Sequence, residues 1–473
     1  MSEAEADEGR VDGNGNGSEA VAGGPGRTAR ARRPRIAAAV AAAVLFASVA
    51  AVLALTTPWN PLPGHVPGGR VKADPALDFS PAEISRSGAF DSAVNPPAYA
   101  GLLAGLALIL VLGLTPLGAR FIGRVTARTR RRPLTIIVAA IALTTLLRLA
   151  GLPFRIWSES VLRRYGLSTQ GWPAWLVDQL KSLGVTWVVS TVALLLLYAL
   201  IRRFPRYWWA GAAAGGFVLV VLVSFIYPIA VEPVFNRFHS LPQGQLRSDL
   251  LAMAKRDGVP VEDVLIADAS RRTTSLNAYV SGFGSTRRIV LYDTLLKSPR
   301  PQIESIVGHE LGHAKRDDVL WGTLVGALGI AGALCLLYPL MTSPRLLRRA
   351  GVDPGGAPPG APGGRGTRGA ADPRSLALLL ALVTAGTQLA APVQNLVSRR
   401  IEARADAHAL NLTRDPLTFV SMQRALSVRN ISDLSPDAME YLLWMTHPSG
   451  PDRIAMARDW ARMNHTEVPP PLR

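Results

Sequence analysis

Seven long apolar runs restrict the fold of this 473-residue chain more than any other feature. They are Ile36–Thr57, Ala98–Ala119, Leu134–Phe154, Leu183–Ile201, Tyr207–Val231, Val319–Met341 and Leu376–Val397. About 20 apolar residues cross a bilayer as a helix, because only a helix satisfies its own backbone hydrogen bonds in hydrocarbon. The expected fold class is therefore mainly α, a bundle of about seven transmembrane helices. A signal peptide competes for the first run, but the long leader ahead of it and its own length argue for an uncleaved anchor. Thr384, Thr387 and Gln388 interrupt the seventh run and suit a helix buried inside the bundle. Arg148, near the end of the third, is expected to snorkel to the interface.

Apolar residues make up 49% of the chain, and its formal net charge is +17. That charge does not point to nucleic acid. Most of the basic residues are Arg beside apolar runs, the pattern of membrane-flanking charge, so the lipid bilayer is the expected partner. Cys335 is the one cysteine, which excludes an intrachain disulfide and a cysteine metal site.

The runs divide the chain. Residues 1–35 read as a disordered leader, Gly-, Ala- and Glu-rich and then basic. Residues 36–231 hold five spans. Residues 232–318 form a polar region with a helix near Gly244–Lys255 and strand-like runs at Val264–Ala267 and Ile289–Tyr292, implying a small β-sheet. Residues 319–397 hold two spans joined by a loop dense in Gly and Pro around Pro354–Gly364. Residues 398–473 form a second polar region, helical around Leu417–Leu426 and Asp437–Met445.

The first polar region ends in His309-Glu310-Leu311-Gly312-His313, an HExxH pattern. Ile303, Ile306, Val307 and Leu311 keep helical spacing around it. On a helix, positions i and i+4 share a face, so His309 and His313 can bind one ion. Zinc takes imidazole nitrogen, and a catalytic site needs three protein ligands and an open water position. Glu310, beside them, is placed to act as a base toward that water. One Zn2+ per chain is the expected cofactor.

A third ligand is needed. Position 319 is Val, which excludes a third His in an HExxHxxGxxH pattern. The run Ser398-Arg399-Arg400-Ile401-Glu402-Ala403-Arg404-Ala405-Asp406 offers Glu402 as the ligand and Asp406, on the same helix face, as a hydrogen-bond partner for a ligating His. A surface helix with Glu–Arg pairing is the ordinary alternative. His408 is a rival ligand on a face that does not match Glu402.

At this point the chain resembles the type I CaaX prenyl endopeptidases, multi-span membrane zinc peptidases of the gluzincin kind. The resemblance rests on Glu232–Phe238, Leu276–Phe283, Arg288–Leu296, HELGH, Ser398–Ala407 and His447-Pro448 with Arg453. It implies His309, His313 and Glu402 as zinc ligands, Glu310 as general base and acid, and Asp406 as the partner of a ligand. It also implies His447 and Arg453 at the catalytic centre, and Asn277, Ala278 and Tyr279 as a strand edge aligning the substrate backbone. An oxyanion donor such as His447 suits the tetrahedral transition state of peptide hydrolysis.

The function read from this is a membrane zinc endopeptidase acting on a peptide or protein substrate. A quality-control protease of the same chemistry is the alternative among enzymes; a scaffold or transporter with a structural metal is the one outside them. Glu310 discriminates, since a structural site needs no base. For sidedness, two arguments disagree. Arg-rich segments before the first span and after the second, fourth and sixth all fall on one side of a seven-span chain. The positive-inside rule makes that side cytoplasmic and turns the HExxH site outward. The resemblance implies a site open to the cytosol.

Overall fold

The computed structural model describes residues 25–354 and 369–472. Most of the Gly/Pro-rich loop, 355–368, and the leader up to residue 24 lie outside the described residues. Seven helices are long and apolar enough to cross a membrane: Arg33–Thr56, Pro81–Leu114, Arg132–Ala150, Trp172–Arg203, Trp208–Phe235, Asp318–Met341 and Pro373–Thr413. The first belongs to a helix that starts at Pro25, so 25–35, read from composition as disordered, is helical. The second stops at Leu114, short of the Ala119 that hydropathy suggests. Pro116 pushes Thr115 into extended backbone (φ −130, ψ 167), and the Thr115 hydroxyl instead accepts from Leu117 N–H to start a new helix.

The polar region between the fifth and sixth spans builds a mixed sheet. Helix α1 (Gln245–Asp257) packs against β2 of a four-stranded sheet made of β1 (Phe238–Ser240), β2 (Asp263–Ala267), β3 (Ala278–Ser281) and β4 (Arg288–Tyr292). Their order is β1-β2-β4-β3; β2 and β4 run parallel, and both edge pairings are antiparallel. The expected strands are β2 and β4, each slightly longer than its apolar run. The HExxH helix, α2 (Arg300–Lys315), follows the sheet.

The seventh span does not end at Val397. It is one helix, α3 (Leu376–Thr413), of 38 residues, roughly 57 Å at 1.5 Å per residue. The boundary drawn between 397 and 398 therefore falls inside a continuous helix, which carries Glu402 and Asp406 out of the bundle. Helices α4 (Pro416–Asn430) and α5 (Gly450–Met463) complete the C-terminal region. Leu250, Ile289, Leu291, Val307, Leu311, Phe419, Ile454 and Trp460 form one buried core that joins sheet and helices.

Two connections far away in sequence dock on this domain. Leu62 and Phe79, between the first and second spans, enter its core, and Asp78 there meets Arg458 of α5 (Oδ2–Nη1 2.8 Å). Ser168, between the third and fourth spans, bridges to Thr273. The connections after the first, third and fifth spans thus gather with the HExxH helix. The Arg-rich segments, with Arg120, Arg124, Arg128 and Arg130–Arg132 among them, gather on the opposite side. By the positive-inside rule, a phosphatase reporter fused after Arg473, active only outside the cytoplasm, is expected to be active. A fluorescent reporter inserted at residue 360 should mark a cytoplasmic loop. The inverse pattern of the two reporters would show the domain facing the cytosol.

Candidate active site

Helix α2 buries Ile303, Val307 and Leu311 and turns His309 and His313 toward α3. The two helices approach closely at Gly312, where a Cβ would stand 3.0 to 3.2 Å from side-chain atoms of His408. That approach brings Glu402 up to the histidines. The His309 and His313 Nε2 atoms are 3.1 Å apart. Glu402 Oε2 lies 3.1 Å from His309 Nε2, and Oε1 lies 3.5 Å from His313 Nε2. His408 is held elsewhere, its Nε2 2.9 Å from Asp257.

The outer nitrogens of the two rings are occupied. His309 Nδ1 is 2.8 Å from the fully buried Asp406, whose other oxygen accepts from Arg453 Nε at 2.8 Å. His313 Nδ1 is 2.9 Å from Asp318, which also pairs with Arg404. Each imidazole is thus backed by a carboxylate, and each carboxylate by an arginine. With Nδ1–H donating to an aspartate, each Nε2 presents a lone pair. Those lone pairs face one another and a carboxylate oxygen, Glu402 Oε2, that is buried with no hydrogen-bond partner among the described residues. A cation among them removes the repulsion. Tetrahedral ligands at about 2.0–2.1 Å stand roughly 3.3 Å apart, so the residues fit a zinc ion.

Glu310 is partly buried next to its neighbours on α2, and burial raises its carboxyl above the usual range, against the pull of His309 and His313. Burial works to lower His309, but Asp406 and Glu402 outweigh it and raise the imidazole. His447, on the connection before α5, sits at the rim with its side chain 56% exposed and Nε2 3.4 Å from Glu402 Oε2. Arg453, which the resemblance puts at the catalytic centre, lies behind His309: it is buried against Asp406, and its Nη2 comes only within 3.4 Å of His309 Nδ1.

Ala278 and Tyr279 open β3, the edge strand, with Asn277 just ahead of it, and β3 packs against α2. Tyr292 N–H donates to Asn277 C=O at 3.0 Å, so those two form a bonded pair. Antiparallel alternation then bonds Tyr279 to Val290 and leaves the backbone N–H and C=O of Ala278 and Val280 on the free edge. Sequence reasoning missed Asp318 and Arg404. An Asp opening the sixth span, five residues after His313, was the available signal.

Residues 240–461 match peptidase family M48, and residues 100–237 match the CAAX prenyl protease N-terminal family of five membrane helices. A Bacillus subtilis protein called uncharacterized metalloprotease YhfN is 28% identical over 389 residues, 82% of this chain and 88% of the relative. CAAX prenyl protease 1 of Saccharomyces cerevisiae is 30% identical over 181 residues, covering 38% of this chain and 40% of that protein. The crystal structure of S. mikatae Ste24p shares the fold, with a TM-score of 0.70 and 19% identity over 90% of this chain and 99% of that one. The protein is an integral-membrane metalloprotease. It belongs to peptidase family M48, alongside the CAAX prenyl proteases.

Proposed function

We propose that this protease is a zinc-dependent endopeptidase that cuts polypeptide segments held near the membrane surface, with His309, His313 and Glu402 holding one zinc ion. The convergence of three donor atoms at 3.1 to 3.5 Å, with both imidazoles tied back through Nδ1, carries the reading. When bound, zinc supplies Lewis-acid polarisation of the peptide carbonyl and lowers the pKa of water toward 7. Glu310 takes the proton of the attacking water and passes it to the leaving amine; its raised carboxyl suits both halves of that transfer. His447, at the rim, donates to the developing oxyanion. Asp406 with Arg453, and Asp318 with Arg404, fix the ring orientations and act as positioning groups. Treatment of purified protein with a chelator is expected to abolish hydrolysis of a fluorogenic peptide, and zinc to restore it. Hydrolysis that persists after the metal is gone would refute the proposal.

The free edge of β3 aligns the substrate by strand addition, through the backbone of Ala278 and Val280. Val280→Pro removes an outward N–H without touching the bonds to β4. One lost hydrogen bond is worth about 0.5–1.5 kcal/mol, so KM should rise roughly two- to twelvefold while kcat holds. An unchanged KM would move the substrate off this edge.

A further inference from the structure

On the face opposite the HExxH helix, four span ends line an open cavity of about 690 Å³. Arg132 opens the third span, Arg202 and Arg203 close the fourth, Trp208 opens the fifth and Thr342 follows the sixth. The floor is apolar: Ile201 and Trp208 are 4% and 1% exposed. The three arginines are exposed, and none of them makes an ion pair among the described residues. A fourth, Arg35, reaches in from the first span to Thr342 Oγ1 at 3.1 Å. Asp372, just beyond the wall, is taken up by Arg374 at 2.6 Å and does not neutralise them. The indole N–H of buried Trp208 is a donor with no partner among the described residues.

The features combine into a site with one chemistry. The cavity lies where helices leave the hydrocarbon, so its apolar floor continues the acyl region and its arginine rim stands at headgroup level. Guanidinium groups bind phosphate oxygens bidentately, and basic pockets between span ends on the positive side recruit anionic headgroups. We infer that this cavity binds the phosphodiester headgroup of an anionic phospholipid.

The test is native mass spectrometry of the full-length protein in detergent, titrated with phosphatidylglycerol, phosphatidylcholine or inorganic phosphate. Phosphatidylglycerol is expected to be retained and phosphatidylcholine not. Each arginine near an anionic surface is worth about 1 kcal/mol, roughly fivefold in affinity. Arg132→Gln/Arg202→Gln/Arg203→Gln should therefore weaken retention about a hundredfold, with peptide hydrolysis unchanged. If that triple variant does not fold, Arg202→Gln and Arg203→Gln are each expected to cost about fivefold. The proposal is overturned if both lipids are retained equally, or if the variants hold phosphatidylglycerol as tightly as the parent. Displacement of the lipid by inorganic phosphate at equal concentration also overturns it, in favour of a free-phosphate site.

Discussion

Glu310→Gln should leave the zinc content of the purified protein unchanged and lower peptide hydrolysis by about 10²–10⁴-fold, the range that positioned proton transfer supplies. The substitution keeps the size of the side chain and removes only its ability to take up and release a proton. Glu310 is not one of the three convergent donors, whose atoms all lie within 4.8 Å of one another. The two readouts therefore separate base from ligand. Zinc loss in parallel with activity would make Glu310 a holder of the metal; retention of turnover would end its role as base. Either result would also bear on a non-catalytic reading, in which the metal is structural and this residue has no work.

Glu402→Ala is the second large effect. It should reduce bound zinc from about one per chain to a small fraction of that after dialysis, and His309→Ala and His313→Ala should do the same. A two-ligand site lacks the closed donor set that holds the metal. The variant also frees two imidazole lone pairs that the glutamate faced at 3.1 and 3.5 Å. Metal analysis by plasma emission checks the outcome, with far-ultraviolet circular dichroism as a control for folding. Full occupancy in Glu402→Ala would mean that another residue, such as His447 at 3.4 Å from the same carboxylate, completes the set.

Local pattern carried the site a long way. His309, Glu310 and His313 lie on a helix whose apolar spacing is plain, and β2 and β4 are apolar runs of ordinary strand length. Spans were legible because twenty apolar residues have few alternatives. What stayed hidden depends on partners distant in sequence. Strand β1 has three residues and β3 four, too few for alternation to register. Asp318 and Arg404 lie 86 residues apart and pair only because α2 and the sixth span bring Asp318 beside α3. Arg453 shows the converse: the motif placed it near the centre, and only packing shows it turned to Asp406. Helix α5 was missed although Ser449 and Asp452 form a capping box at its start, with Pro451 in the first turn.

Helix α3 ties the candidate metal site to the membrane bundle. Glu402 rides on the rod that forms the seventh span, 26 residues from its membrane end at Leu376, roughly 39 Å at 1.5 Å per residue. His309 and His313 sit on a separate helix, but Ala407, Ala409 and Leu410 of α3, about one to two turns beyond Glu402, share the buried core of that helix. A single helix thus starts in the membrane bundle and ends in the core that sets the spacing of all three donors.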